Sequence, residues 1–175
     1  MSTRTNIEHI YHQHCTAVQA GLEWIDLDAL QTAADIIIDA IKSGKTIYTA
    51  GNGASAAIAQ HWACDYTKGC SDIAVAVTPR VISLSANIPL MTAISNDISY
   101  ARVYSYQLER LGNKGDVFIS ISSSGNSPSV VHACEVARKK GIEVIALTGF
   151  DGGKTSELAD AHVHVDLDEY EAVED

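Results

Sequence analysis

Basic residues are scarce in this sequence: 12 Lys and Arg stand against 22 Asp and Glu, a formal charge of -10. No cationic stripe is left to follow a phosphate backbone, which argues against direct binding of nucleic acid. Long apolar runs are missing as well. None approaches the roughly 18 residues that a membrane span needs, and the start "MSTRTNIEHIYHQH" lacks a signal-peptide h-region, so no membrane partner is expected. Cys15, Cys64, Cys70 and Cys134 are scattered with no CxxC pair, which argues against a disulfide framework and points to a reducing, cytoplasmic setting. No repeat, low-complexity tract or flexible linker divides the chain. Its 175 residues, 46% of them hydrophobic, fit one domain spanning 1–175 with a sizeable core.

What the chain does have is alternation. Residues 4–44 read as two helices: "LDALQTAADIIIDAIKSGK" sets Leu27, Leu30, Ala34, Ile37, Ile38 and Ile41 three and four apart, and Gly44 is a C-cap candidate. From residue 45 onward, short apolar strands take turns with helices. "TIYTAG" opens into "GNGAS" and a helix from Ser55. "VISL" is a second strand, "MTAISND" ends in a polar turn, and "SYARVYSYQLERLG" reads as a helix closed by Gly112. "DVFISIS" runs into the turn "SSGNS" and the helix "SPSVVHACEVARKKG", with Ser127 as N-cap, Pro128 in the first turn and Gly141 at the end. "EVIALTG", "DGGKTSELAD" and "AHVHVDL" add a strand, a short helix and a fifth strand. This order specifies an α/β chain: a three-layer αβα sandwich on a five-stranded parallel sheet, preceded by N-terminal helices. Ligands of such sheets lie beyond the carboxyl ends of the strands, so the turns Gly51–Ser55, Ser95–Asp97 and Ser122–Ser127 are expected on one rim.

The turns differ in what they offer. "SSSGNS" presents hydroxyls at Ser122, Ser123, Ser124 and Ser127, Gly125 for a tight turn, and a helix start behind them, a combination that suits a dianion. An N-cap alone would need a single serine. "GNGAS" is less specific: position 56 is Ala, so GxGxxG is not matched, and no Lys-Ser/Thr follows to make a P-loop. On the helix behind it, His61 and Asp65 are four apart and share a face. That spacing suits two ligands of one divalent cation and equally a surface His–Asp pair. Cys64 reads as a small packed residue and Trp62 as core or subunit contact. His9, His12 and His14 read as solvent-facing, and His162 and His164 as sharing one face of the last strand.

Taken in order and spacing, "AGNGASAAIAQHWACDYTKG", "ISNDISYARVYSYQLERLGNKGDV", "ISSSGNSPSVV" and "VIALTGFDGGKTSELAD" resemble the sugar isomerase (SIS) domain, and within it the phosphoheptose isomerase group. The resemblance covers nearly the whole chain and implies a flavodoxin-like fold. It implies sugar contacts at Asn52, Gly53, Ala54, Ser55, Asn96 and Asp97, and a phosphate held by Ser122, Ser123, Ser124 and Ser127. It further implies one zinc ion per subunit on His61 and Asp65, with Asp65 also carrying the proton. The reaction implied is isomerisation of sedoheptulose 7-phosphate to D-glycero-manno-heptose 7-phosphate through an enediol, for lipopolysaccharide or other surface glycans, in a cytoplasmic homotetramer.

Three departures from the family pattern stand out. Ala54 replaces a glycine, which matters only if φ is positive there. Asp65 replaces a glutamate and shortens the reach by one methylene. "EYEAVED" places Glu174 at the position of a glutamine that binds substrate and metal, Glu171 lies near another family carboxylate, and the metal-binding histidine eight residues beyond Glu174 has no counterpart before Asp175. The resemblance therefore implies a chain whose last helix is truncated here. A non-catalytic SIS protein that binds a partner such as the replication initiator, similar through "SAAIAQH", is the alternative. Retention of His61 and an acidic residue at 65 favours the enzyme; isomerisation of another sugar phosphate is also compatible with a serine turn.

Overall fold

The computed structural model describes residues 3–69, 77–168 and 170–173. Two helices come first, α1 (Thr3–Glu23) and α2 (Leu27–Lys42). Asp26 caps α2, its carboxylate accepting from the amides of Asp28 and Ala29 at 2.9 and 3.1 Å, and Gly44, with φ of +66°, turns the chain out of it. Then follow β1 (Thr46–Ala50), α3 (Ala54–Lys68), β2 (Arg80–Ser83), α4 (Ile88–Asp97), α5 (Ser105–Leu111), β3 (Val117–Ile121), α6 (Pro128–Lys140), β4 (Glu143–Thr148), α7 (Gly153–Leu158), β5 (Ala161–His164) and α8 (Tyr170–Val173).

All five strands pair in parallel, in the order β2-β1-β3-β4-β5. The central strands β1 and β3 are buried along their whole length, as a sheet covered on both faces requires. Alternate residues feed two cores. Tyr48, Phe118 and Val144 face Ile94 of α4, Tyr104, Leu108 of α5 and Val130, Ala133 and Ala137 of α6. Ile47, Ile119 and Ile145 face Ala33 and Ala40 of α2 and Ala59 of α3. Each large side chain so enclosed contributes about 2 kcal/mol, which is why the alternation fixes the register.

The expected three-layer αβα architecture is the one found. Two local readings need correction. "MTAISND" is the body of α4 and its end, where a polar turn was expected: Asn87 accepts from the amide of Leu90 at 3.1 Å and Pro89 occupies the first turn, both helix-start features. The segment Ser99–Gly112 is not one helix but a 3-10 turn, Tyr100–Arg102, followed by α5.

Candidate active site

In this strand order the chain leaves β1 toward one edge of the sheet and β3 toward the other, so a crevice opens beyond the ends of β1 and β3. The turns after those two strands are the glycine turn and the serine turn. Between them lies a cavity of ≈ 140 Å³ lined by Asn52, Ser55, Ser122, Ser123, Ser124, Ser127, Ile121 and Tyr170. A second cavity of ≈ 230 Å³ shares Ser55, Ser123 and Ile121 with it and continues under Val163, Val165 and Val173. The rim thus has a hydroxyl-rich part and an apolar part.

The serine turn is braced from outside. Gly125 sits at φ of +61°, and a Cβ there would come within 2.0 Å of the Gly152 carbonyl oxygen. The loop after β4 closes over it: the amide of Gly149 donates to the Ser123 carbonyl at 2.8 Å and that of Thr155 to the Gly125 carbonyl at 3.0 Å. Asn126 bridges the two, donating from Nδ2 to the Ser124 carbonyl at 2.9 Å while its Oδ1 accepts from the Lys154 amide at 3.1 Å. Ser127 occupies the N-cap of α6, yet its hydroxyl makes no capping bond. A capping role is therefore not what its side chain performs, and Ser127 lines the cavity beside the helix start.

In the glycine turn, Gly51 must lack a Cβ because one would lie 2.6 Å from the Ser55 side chain. The positive φ falls on Gly53, at +55°, and Ala54 opens α3 without one. The alanine departure is therefore accommodated without backbone strain. Asn52 is held by side chains that the sequence reading missed: its Oδ1 accepts from the hydroxyls of Tyr100 at 2.8 Å and Tyr104 at 3.0 Å, and its Nδ2 donates to Ser129 Oγ at 3.0 Å. Tyr104 also reaches the Gly51 carbonyl. Burial raises its pKa to about 12, so the hydroxyl keeps its proton. No local pattern marks the two tyrosines, since Tyr100 lies in a 3-10 turn, Tyr104 precedes α5, and both bond across about 50 residues of sequence.

His61 and Asp65 lie elsewhere on α3. His61 Nε2 and Asp65 Oδ2 are 3.2 Å apart, with side chains 73% and 60% exposed. At about 1.5 Å of rise per residue, His61 stands about 9 Å along the helix from Ser55. The pair offers one nitrogen and one carboxylate donor on one face, the right chemistry for zinc but short of the three protein ligands of a catalytic site. Among the described residues no group of three or more His, Cys, Asp or Glu is placed to hold a metal ion. Asn96 and Asp97 form the exposed end of α4, bonded to each other at 2.8 Å and away from both cavities; the 3-10 turn that follows carries Tyr100 back to Asn52. Glu174 lies outside the described residues, as does Cys70; Glu171 lies in α8.

His162 and His164 do share a face of β5, with rings stacked 5.3 Å apart. His162 Nε2 bonds Thr148 Oγ1 at 2.7 Å and His164 Nε2 the Phe150 carbonyl at 3.0 Å, so they anchor the loop that braces the serine turn. Among the described residues no helix is long and apolar enough to cross a membrane.

Against this geometry, the SIS domain family model matches residues 10–149. The phosphoheptose isomerase of Helicobacter hepaticus is 44% identical over 167 residues, spanning 91% of this chain and 80% of that protein. The chain belongs to the SIS domain family, in its phosphoheptose isomerase group. The phosphoheptose isomerase of Aliarcobacter butzleri is likewise 44% identical, over 138 residues that span 79% of this chain and 72% of that protein. The solved structure of the phosphoheptose isomerase from Neisseria gonorrhoeae superposes with a TM-score of 0.88 at 29% identity, covering 99% of this chain and 91% of that one. The crevice beyond β1 and β3 is thus part of a fold shared with a solved enzyme of the same group.

Proposed function

We propose that this SIS-domain chain is an aldose–ketose isomerase that converts sedoheptulose 7-phosphate to D-glycero-manno-heptose 7-phosphate. The observation that carries the reading is the cavity where Ser122, Ser123, Ser124 and Ser127 converge before the start of α6, in a chain 44% identical to phosphoheptose isomerases. Hydroxyls and a helix N-terminus take the phosphate, which fixes which end of the sugar points along α3. Asn52, Gly53, Ala54 and Ser55 meet the sugar, with Asn96 and Asp97 on the outer rim.

The chemistry is a proton transfer between adjacent carbons. Asp65 takes a proton from C1, giving an enediol; the proton is returned to C2 while the hydroxyl proton passes from O1 to O2, leaving an aldehyde at C1 and a hydroxyl at C2. Asp65 is one methylene shorter than the family's glutamate, so the sugar must seat closer to α3. His61 and Asp65 would hold the zinc ion, with Glu174 as a further donor, and the ion would supply positive charge for the developing enediolate oxygen.

The exposure of His61 and Asp65 supports a site completed by further protein. A homotetramer in the cytoplasm fits, and Ile7, Ile10, Tyr11, Leu22 and Trp24 on and after α1 are large apolar side chains left exposed. The product would serve heptose supply for lipopolysaccharide or another surface glycan. The test is turnover of sedoheptulose 7-phosphate by zinc-loaded protein, followed as appearance of the aldose. Chelation or His61→Ala should abolish turnover with the oligomer intact; activity indifferent to both would overturn the metal assignment, and no turnover by the loaded wild type would overturn the reaction.

A further inference from the structure

Asn52 stands where the two turns meet, and its carboxamide is fixed from both sides. Tyr100 and Tyr104 bond one end, and Ser129, 2% exposed in the first turn of α6, bonds the other. Proton counting shows how this works. Tyr104 has one O–H proton and lies near two acceptors, the Gly51 carbonyl and Asn52 Oδ1. The Gly51 carbonyl is the nearer of the two and also lies 3.1 Å from the Ser85 hydroxyl, so Tyr104 shares its proton between both acceptors while Tyr100 donates its own to Asn52 Oδ1. With Oδ1 taken by two hydroxyls and one Nδ2 proton spent on Ser129, what Asn52 has left for a ligand is a single amide N–H.

The two tyrosines differ in what else they do. Tyr104 is fully buried and packs in the core, so its loss would disturb the fold. Tyr100 is 50% exposed on the 3-10 turn after α4, and its hydroxyl spans 48 residues of sequence to reach Asn52. An exposed hydroxyl that reaches across to a cavity-lining amide adds little to stability, because water competes for the same bond. Its effect is on where that amide points.

We propose that Tyr100 and Tyr104 are positioning residues of the isomerase: they hold Asn52 with its free amide N–H available to an acceptor oxygen of the sugar phosphate, and Tyr100 links this contact to the end of α4. The inference rests on the function proposed above, and it needs no metal. It connects the end of α4 to a cavity that it does not line.

Tyr100→Phe keeps the ring and deletes only the hydroxyl. It should lower kcat/KM for sedoheptulose 7-phosphate about three- to tenfold, through KM rather than kcat, with the melting temperature unchanged. The deciding measurement is a double-mutant cycle with Asn52→Ala: in that background Tyr100→Phe should cost nothing further. Binding of sedoheptulose 7-phosphate to chelated protein, measured by calorimetry, should show the same coupling in Kd. Equal losses in both backgrounds, or no loss in the wild-type background, would overturn the proposal. A protein that binds the sugar phosphate with this coupling but never turns it over would overturn the reaction and keep the positioning role; one that neither binds nor turns it over would overturn both.

Discussion

The serine turn and the His61–Asp65 face of α3 are the two candidate parts of the proposed site, and they are built differently. The serine turn is preformed: its glycine is forced by the approach of Gly152, its carbonyls are bonded by the loop after β4, and its hydroxyls line a cavity. The His61–Asp65 pair faces outward, 3.2 Å apart and largely exposed. One chain therefore suffices to shape the end proposed to take phosphate, whereas the His61–Asp65 pair proposed for the proton transfer is left uncovered. In a low-dielectric enclosure the carboxylate and imidazole would interact far more strongly with a substrate than they do in water. This asymmetry supports the proposal that assembly completes the site.

The contrast can be broken most severely at Gly125. Gly125→Ala places a Cβ against the Gly152 carbonyl at a positive φ, and should cost about 3 kcal/mol, read as a lowered denaturation midpoint together with lost substrate binding. A smaller and cleaner effect is expected from Ser127→Ala. Because that hydroxyl makes no capping bond, stability should hold while KM rises about tenfold from one lost bond to a charged phosphate; a drop in melting temperature would instead show a cap.

Acid supplies the mildest perturbation. Burial, and then the neighbouring His164 ring, hold the His162 pKa below its ordinary 6.5. Between that depressed value and 6.5 the unfolded chain binds more protons than the folded one, so stability is fully present above pH 6.5 and is lost as pH falls through the folded value. The melting temperature should decline on acidification below pH 6.5, and His162→Gln should flatten that component. A decline of the same size in the variant would place its origin elsewhere.

The fold was legible where periodicity and turn chemistry agreed. The apolar strands, the helix from Pro128 to the left-handed Gly141, and the pairing of glycine and serine turns on one rim all follow from local pattern. The failures have physical causes. In α4, the polar end Ser95–Asp97 reads as a turn, although Asn87 and Pro89 upstream set a helix start that carries the helix through to Asp97. Before α5, Tyr100 bonds across to Asn52 on a 3-10 turn instead of continuing a helix, a tertiary contact that no local propensity encodes. At the site, the serines could be read one by one from chemistry. The brace from Gly149 to Thr155 and the tyrosine clamp could not, because each depends on residues distant in sequence.

The central proposal is that phosphate binding and proton transfer reside on separate elements, the serine turn and the outer part of α3, with Asp65 the group that moves the proton. The most direct measurement compares wild type and Asp65→Asn, both zinc-loaded, by proton NMR of the aldose formed from sedoheptulose 7-phosphate and by calorimetric binding of that substrate. The account predicts a loss of about 10²- to 10⁴-fold in kcat for the variant with binding retained within a few-fold. Isomerisation at the wild-type rate by Asp65→Asn, or loss of binding in step with turnover, would contradict it.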